Sequence, residues 1–192
     1  MKISFTELAL PKVGAVVLCV GEGNKLSAIG RELDKATDGA ITRALKVSTF
    51  KGKSKQLLEI VAPAGVSISR ILLAGLGEKM TPNDRVNLGG RVLARLNQSN
   101  EEKATFLVDF GGRDQAGAAA DVGFGALLRS YTFKKYRTTK SDDNGSTEVA
   151  AISIAVKGSA VARRNFAPLQ KIADGVFFTR DLVTEPPNEL YP

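Results

Sequence analysis

The sequence predicts an α/β fold in which a mixed, mostly parallel sheet lies between layers of helices, as a three-layer sandwich. Short runs rich in Val, Ile and Leu alternate with amphipathic stretches five or six times along the chain, which is the pattern of strand–helix–strand units. One run, residues 14–20, is apolar at almost every position, as in a strand that is covered on both faces. The length of 192 residues suits one large domain or two very small ones.

Six strands follow from apolar runs that end at turn residues. They are residues 2–8, 14–20, 56–62, 70–74, 104–110 and 149–156. The only cysteine, Cys19, falls in the second strand and is predicted to be a buried, inert thiol. The polar stretch at residues 138–146 is predicted to be an exposed loop.

Helices are predicted between these strands from apolar residues at three- and four-residue spacing. The first runs from about residue 25 to 35 with Asn24 as its N-cap, and a short second helix follows at residues 41–45. An alanine-rich helix covers residues 115–129, and residues 131–137 continue or close it.

The clearest helix start is at Thr81. Thr81 is the predicted N-cap, Pro82 takes the first helical position, and Asp84 reaches back to complete a capping box. The helix extends to about Leu96, and Gly89-Gly90 in its middle costs about 1 kcal/mol per glycine relative to alanine. Such a cost is tolerated where another backbone comes close, so we expect a close neighbour there.

The composition excludes several kinds of catalytic site. Histidine is absent, which removes the zinc, Ser-His-Asp and Cys-His schemes that depend on an imidazole. The aspartates fall mostly at caps, turns and polar helix faces without clustered spacing, and Ser54 and Ser159 lie near lysines but lack the set of a base and an orienting group that activates a nucleophile. We therefore assign no catalytic, cofactor-binding or metal-ligating residue to this chain.

The net charge permits partners but identifies none. A formal charge of +7 and a pI near 9.6 are compatible with nucleic-acid contact. They are more typical of a solvated surface, or of a chain whose charge is balanced by an acidic partner domain. No apolar run approaches the ~20 residues that cross a bilayer, and a single cysteine forms no intramolecular disulfide. We expect a cytoplasmic protein without membrane contact.

Two glycine turns follow predicted strands. Gly75-Leu76-Gly77 is the better candidate for a phosphate cradle, because a strand–glycine–helix sequence aims backbone N–H groups at an anion. The third glycine of a dinucleotide motif is missing and no Gly-Lys-Ser/Thr follows, so a structural turn is favoured. Gly111-Gly112 is the weaker candidate. If these turns did bind a ligand, the domain would be a module that binds ADP-ribose or a related nucleotide, which we keep as an alternative hypothesis.

A segment after the alanine-rich helix interleaves cations with aromatic rings. This composition is compatible with DNA binding, but cations also stabilise the carbonyls at a helix C-terminus, and that interpretation is favoured. The residues concerned are Lys134, Lys135, Arg137 and Lys140, with Tyr131, Phe133 and Tyr136.

The last stretch combines a helix with an extended strip. From Thr184 onward the prolines at 186 and 187 exclude helix, and a stiff strip after an amphipathic helix is typical of a connection between domains. An ordinary frayed tail is the alternative. The helix face predicted to be buried comprises Phe166, Leu169, Ile172, Ala173, Val176 and Phe177, with Val183 beyond.

Residues 179–192 resemble the segment that joins the N-terminal and catalytic domains of leucyl (cytosol) aminopeptidases, where Arg-Asp-Leu-Val-Asn-Glu-Pro-Pro-Asn is typical. Thr184 stands where that family usually has Asn. The resemblance also covers residues 73–77 with the Thr81-Pro82 helix, Gly89-Gly90, and residues 128–136, where the family commonly has Tyr-Arg-Phe-x-x-Tyr.

The resemblance implies a macro-domain-like fold for residues 1–182, an interdomain linker at residues 183–192, and a catalytic domain that is absent from this chain. It implies a parent enzyme that holds two divalent metals, manganese or zinc, removes N-terminal amino acids from peptides and assembles as a hexamer. This domain would then aid assembly or regulation, and by itself it is expected to be inactive. Some bacterial members also bind DNA, which makes a DNA-binding accessory domain a further alternative.

Overall fold

The computed structural model describes residues 1–112, 114–133, 135–136 and 148–186, and the predicted loop at residues 138–146 lies outside them. The described chain forms seven strands and five helices. The strands are β1 (Lys2–Thr6), β2 (Gly14–Gly21), β3 (Lys25–Leu26), β4 (Leu57–Val61), β5 (Ile68–Gly75), β6 (Lys103–Val108) and β7 (Ala151–Val156). The helices are α1 (Ala28–Ala36), α2 (Ala40–Val47), α3 (Pro82–Leu96), α4 (Gln115–Arg129) and α5 (Ser159–Thr184).

The strands form one sheet in the order β1-β7-β6-β2-β5-β4, and the short β3 pairs with β2. The pairs β1–β7, β7–β6, β6–β2 and β2–β5 are parallel, whereas β4 and β3 run antiparallel to their neighbours. The predicted mixed, mostly parallel sheet is confirmed. All six predicted strands are present, with ends within two residues of the predicted ones.

Helices cover both faces of the central strand β2, as its apolar run predicts. Side chains alternate along the strand, so three point to the layer of α1 and α2 and three to the layer of α3, α4 and α5. The first set is Val16, Leu18 and Val20, and the second is Ala15, Val17 and Cys19. Burial raises the pKa of the Cys19 thiol well above its usual range, which confirms the predicted inert thiol.

The first helix begins later than predicted because the chain first forms a short hairpin. β3 pairs antiparallel with the end of β2, and Asn24 lies in the turn between them with a left-handed φ of 62°. Asparagine adopts this conformation more readily than most residues. The N-cap of α1 is Ser27, whose Oγ accepts a hydrogen bond from the Gly30 N–H at 3.3 Å. The assignment of Asn24 as the N-cap is therefore wrong.

The start of α3 is as predicted. The Thr81 N–H donates to Oδ2 of Asp84 at 3.0 Å, and the Asp84 N–H donates to Oγ1 of Thr81 at 3.2 Å, which completes the capping box. The hydrogen bonds from Thr81 lower the pKa of Asp84. α4 also has the predicted limits, and Asp114 caps it by accepting from the Gly117 N–H at 2.8 Å.

α3 and α4 touch through their backbones at two glycines. A Cβ at Gly89 would overlap the carbonyl oxygen of Val122, and a Cβ at Gly125 would overlap that of Val86. The two glycines therefore set how closely the helices approach, because interaxial distance depends on the side chains at the contact. A Cβ at Gly90 would meet its nearest atoms at 3.5 and 3.7 Å, which is ordinary contact. The expected close backbone is confirmed at Gly89.

α5 packs against α4 and against the edge strand β1. Of its predicted inward residues, Phe166 and Ala173 are buried, and Leu169 and Phe177 are half-buried. The Phe166 ring lies 5.2 Å from the ring of Phe5 on β1. This contact joins the last helix of the chain to its first strand.

The other half of the predicted inward face is exposed. Ile172, Val176 and Val183 are 54%, 38% and 82% exposed, so their predicted burial is wrong. α5 lies at the edge of the helix layer and has neighbours on one side only, which makes its buried face narrower than its apolar face. α5 also includes Thr184, and the chain becomes extended one residue later than predicted. Glu185 has φ −60° and ψ 138°, as expected of a residue before proline.

Candidate functional site

A cleft lies at the carboxyl ends of β2, β5 and β6. It has a volume of about 760 Å³, and both predicted glycine turns line it. β5 and β6 pair with opposite sides of β2, so the connections from the strand ends lead away in opposite directions here. Such switch points in parallel sheets commonly bind ligands. The lining side chains include Glu22, Lys25, Glu78, Arg85 and Asp114.

The first glycine turn cannot cradle a phosphate, because its backbone donors are already engaged. The N–H groups of Gly75, Leu76 and Gly77 donate to the carbonyl oxygens of Gln56, Val20 and Gly52 at 2.9, 3.0 and 2.9 Å, respectively. A Cβ at Gly75 would overlap the carbonyl of Lys53. Glycine is needed here so that the loop after α2 can close over the strand ends, which confirms the structural-turn interpretation.

The second glycine turn is explained by its backbone conformation. Gly111 and Gly112 have φ values of 74° and 89°, a region that side chains disfavour. The side chain of Gln115 fixes the turn, since its Oε1 accepts from the Phe110 N–H at 3.1 Å and its Nε2 donates to the Gly112 carbonyl at 3.3 Å. The turn therefore serves as the link between β6 and α4.

The charges that the described residues place around the cleft are mixed. Three carboxylates line it beside two cations, Lys25 and Arg85, among those residues. Arg85 also donates to Oδ2 of Asp121 at 3.1 Å. Burial raises the pKa of Asp121 despite the opposing charge of Arg85. The backbone donors of the first glycine turn and one of these cations are therefore engaged within the protein, and binding of ADP-ribose stays an alternative hypothesis.

Three of the acidic and nucleophilic side chains, those of Asp34, Glu7 and Ser159, have structural partners. Asp34 accepts from the N–H and the hydroxyl of Thr42 at 2.9 and 2.5 Å. The N–H and hydroxyl of Ser159 donate to Glu7 at 3.0 and 2.6 Å, and these bonds lower the pKa of Glu7. Within the part of the chain that the structure describes, no three His, Cys, Asp or Glu side chains gather as metal ligands would.

The segment that interleaves cations and aromatics packs on the end of α5. The Tyr131 hydroxyl donates to Oδ1 of Asp181 at 2.7 Å. The Arg180 guanidinium lies 4.1 Å from the centroid of the Tyr131 ring, and the Phe177 ring lies 5.3 Å from it. The side of α5 that faces this segment is thereby fixed by hydrogen-bonded, cation–π and aromatic contacts.

A second set of contacts holds the residue just beyond α5. Lys135 Nζ donates to Oε1 of Glu185 at 2.6 Å, and the Tyr136 hydroxyl bonds its other oxygen. The side chain of Glu185 is only 9% exposed, and the hydrogen bond from Lys135, followed by that from Tyr136, lowers its pKa. We name Tyr131, Lys135, Tyr136, Asp181 and Glu185 the exit clamp, since they fix the point where the chain leaves α5.

The exit clamp gives part of this segment a role that neither interpretation predicted. Tyr131, Lys135 and Tyr136 contact Asp181 or Glu185, and DNA binding by this segment stays a prediction. Lys134, Arg137 and Lys140 lie outside the described residues. Sequence reasoning missed the clamp because its partners lie 49 and 50 residues apart, and no periodic pattern connects residues at such separations.

The exposed part of α5 beside the clamp is apolar. Ile172, Val176 and Val183 are spaced at four and seven residues, so they line one side of the helix. We name these three residues the α5 stripe. A row of exposed aliphatic side chains on one helix face is typical of a surface that another protein segment covers.

The fold and these surfaces define the class of the molecule: a single mixed α/β domain in which the described acids form no metal-ligand cluster. The chain belongs to the cytosol aminopeptidase family and corresponds to its N-terminal domain, because the model of that domain matches residues 16–140. The family resemblance of the sequence is thereby confirmed. Among the described residues, no helix combines the length and the apolar character needed to span a membrane.

Curated relatives match this chain over its whole length. A probable cytosol aminopeptidase of Rhodopseudomonas palustris is 33% identical over 195 residues, which cover 100% of this chain and 39% of that protein. A probable cytosol aminopeptidase of Rhizobium leguminosarum bv. trifolii is 37% identical over 195 residues, which cover 100% of this chain and 38% of that protein. The chain therefore spans about two fifths of the length of these relatives.

Solved structures share the fold. A mutant of tomato leucine aminopeptidase superposes with a TM-score of 0.78 at 20% identity, covering 100% of this chain and 40% of that one. The bottromycin maturation enzyme BotP in complex with Mn gives a TM-score of 0.62 at 20% identity, covering 94% of this chain and 33% of that one. The predicted α/β fold with helices on both faces is confirmed.

Proposed function

We propose that this domain is the non-catalytic N-terminal part of a metal-dependent leucyl aminopeptidase, which removes N-terminal amino acids from peptides in the cytoplasm. The observation that carries the proposal is that the whole chain aligns with about two fifths of proteins named cytosol aminopeptidases. The chemistry then belongs to the larger remaining part of such a protein.

The metals belong to that remaining part as well. A dinuclear site needs several carboxylates around a shared position, and the acids that the structure describes here do not gather in that way. The residues present do not fit such a site, so we place two divalent ions, manganese or zinc, in the catalytic domain. The assignment of no catalytic or metal-binding residue to this chain stays a prediction.

The domain body would comprise residues 1–182 and the linker residues 183–192. The exit clamp supports an exit from the body close to this boundary, since it fixes Glu185 where the chain becomes extended, two residues beyond the first linker residue. A rigid exit holds two domains in one relative orientation more effectively than a flexible linker does. The α5 stripe offers apolar surface for the catalytic domain to cover. We also propose that the full-length protein assembles as a hexamer and that this domain aids the assembly.

Activity measurements test the proposal. The 192-residue chain, incubated with leucine p-nitroanilide and Mn²⁺ or Zn²⁺, is expected to give no turnover above the buffer rate. A longer protein in which the chain is followed by the remaining part of a cytosol aminopeptidase is expected to hydrolyse the same substrate. Turnover that co-elutes with the 192-residue chain in gel filtration and is abolished by EDTA would overturn the proposal.

A further inference from the structure

A second groove lies on the outer surface where α3 meets α4, beside the C-terminal end of α5. It has a volume of about 530 Å³, and three arginines line it: Arg91 from α3, Arg129 from α4 and Arg180 from α5. Gly90 and Gly125 also line it, at the place where the backbones of α3 and α4 come into contact because Gly125 has no side chain. The groove thus brings three cations from three helices to one concave site.

Arg91 is only partly satisfied within the protein. Its Nε is buried and has no hydrogen-bond partner among the described residues. Burial lowers the pKa of the Arg91 guanidinium, and the charge of Asp84 only partly offsets this effect. The Asp84 carboxylate is itself engaged by Thr81 in the capping box. A buried donor without a partner is costly, and an anion in the groove would relieve that cost.

Arg180 is held in position before any ligand arrives. Its guanidinium lies over the Tyr131 ring at 4.1 Å, which supports the planar group from one face and leaves its N–H edge for hydrogen bonds. The neighbouring carboxylate of Asp181 accepts from the Tyr131 hydroxyl. The exit clamp therefore positions one wall of the groove as well as the end of α5.

The lining of the groove indicates what it would bind. Val86, Ala94 and Leu128 provide apolar walls, and Asn87 adds a side-chain amide. Guanidinium groups bind carboxylates through paired hydrogen bonds, and apolar walls accommodate aliphatic side chains. We propose that this groove binds an acidic peptide segment of a protein partner, with carboxylates on the arginines and an aliphatic side chain between the helices.

Nucleic acid fits this groove less well. Phosphate backbones are contacted mainly by exposed cations spread along a surface, whereas Arg91 is partly buried inside a short, apolar-walled groove. Single-stranded binding also relies on free aromatic faces, and the face of Tyr131 is already covered by Arg180.

Fluorescence anisotropy with a fluorescein-labelled Glu-Glu-Leu-Glu-Glu-Leu peptide tests the proposal on the 192-residue chain. The double variant Arg91→Gln/Arg129→Gln is expected to bind about tenfold more weakly or worse, since two charge-assisted contacts are lost. Lys35→Gln/Lys46→Gln, with exposed changes on α1 and α2, removes the same two charges and should bind like the wild type. Urea midpoints of all variants verify that each is folded.

Three outcomes would overturn the proposal. One is the absence of peptide binding to the wild type at millimolar concentration. Another is equal weakening by Lys35→Gln/Lys46→Gln and by Arg91→Gln/Arg129→Gln, which would indicate net charge alone. The last is a single-stranded oligonucleotide that binds more tightly than the peptide and depends on the same two arginines. None of these outcomes bears on the proposed aminopeptidase role, because the groove was inferred from its own side chains.

Discussion

Replacing Gly89 by alanine is expected to destabilise the domain by about 1–3 kcal/mol or more, because the added methyl group overlaps backbone and not a movable side chain. The Cβ would overlap the carbonyl oxygen of Val122 and lie 2.9 Å from the backbone nitrogen of Ala126. Relief of this overlap requires α3 and α4 to separate. Separation would also weaken the packing of Leu88, Val92 and Leu93, which are buried in the same core.

The adjacent Gly90 is the matched control for this substitution. Gly90→Ala adds the same methyl group to the same helix, but the nearest atoms lie at 3.5 and 3.7 Å. Alanine is favoured over glycine in a helix by up to about 1 kcal/mol, so Gly90→Ala should be neutral or stabilising. Urea unfolding followed by far-UV circular dichroism measures both, since the chain has no tryptophan. Equal effects of the two substitutions would contradict the proposed helix contact.

Glu185→Gln is expected to loosen the end of α5. The substitution keeps the size of the side chain but removes the charge that Lys135 and Tyr136 contact. Hydrogen exchange of the backbone amides at residues 179–185 should accelerate several-fold, because the last turn of a helix opens locally when its contacts weaken. Asp174→Asn makes the same charge change at an exposed position on α5 and should leave that exchange unaltered.

The exit clamp should also respond to pH. The hydrogen bond from Lys135, followed by that from Tyr136, lowers the pKa of Glu185 in the folded state. The clamp is therefore fully formed above the ordinary carboxyl pKa and is lost as the pH falls through the lowered folded value. After correction for intrinsic exchange rates, amide protection at residues 179–185 should fall in acid in the wild type and fall less in Glu185→Gln. Identical pH profiles for the two proteins would contradict the clamp.

Local chemistry predicted much of the fold. The apolar run at β2 predicted cover on both faces, Thr81-Pro82 with Asp84 predicted the start of α3, and Gly89-Gly90 predicted a nearby backbone. Each of these inferences depends on residues that are neighbours in sequence. The short hairpin at Asn24 was missed because β3 has only two residues, too few for any pattern of alternation.

The surfaces were harder to predict because they depend on long-range placement. Ile172 and Val176 share a helical apolar pattern with Phe166, and only the position of α5 at the edge of its layer decides which of them is buried. The exit clamp and the arginine groove combine residues from distant segments, so composition alone could not distinguish them from a nucleic-acid surface. The glycine turns were located correctly, but the engagement of their backbone donors required the structure.

Metal analysis tests the central claim most directly, namely that this domain contributes no catalytic centre of its own. The 192-residue chain and a longer protein that contains it are equilibrated with Mn²⁺, passed through a desalting column and analysed by inductively coupled plasma mass spectrometry. The account predicts a dinuclear complement of metal on the longer protein and none retained by the 192-residue chain. Stoichiometric manganese on the 192-residue chain would contradict it.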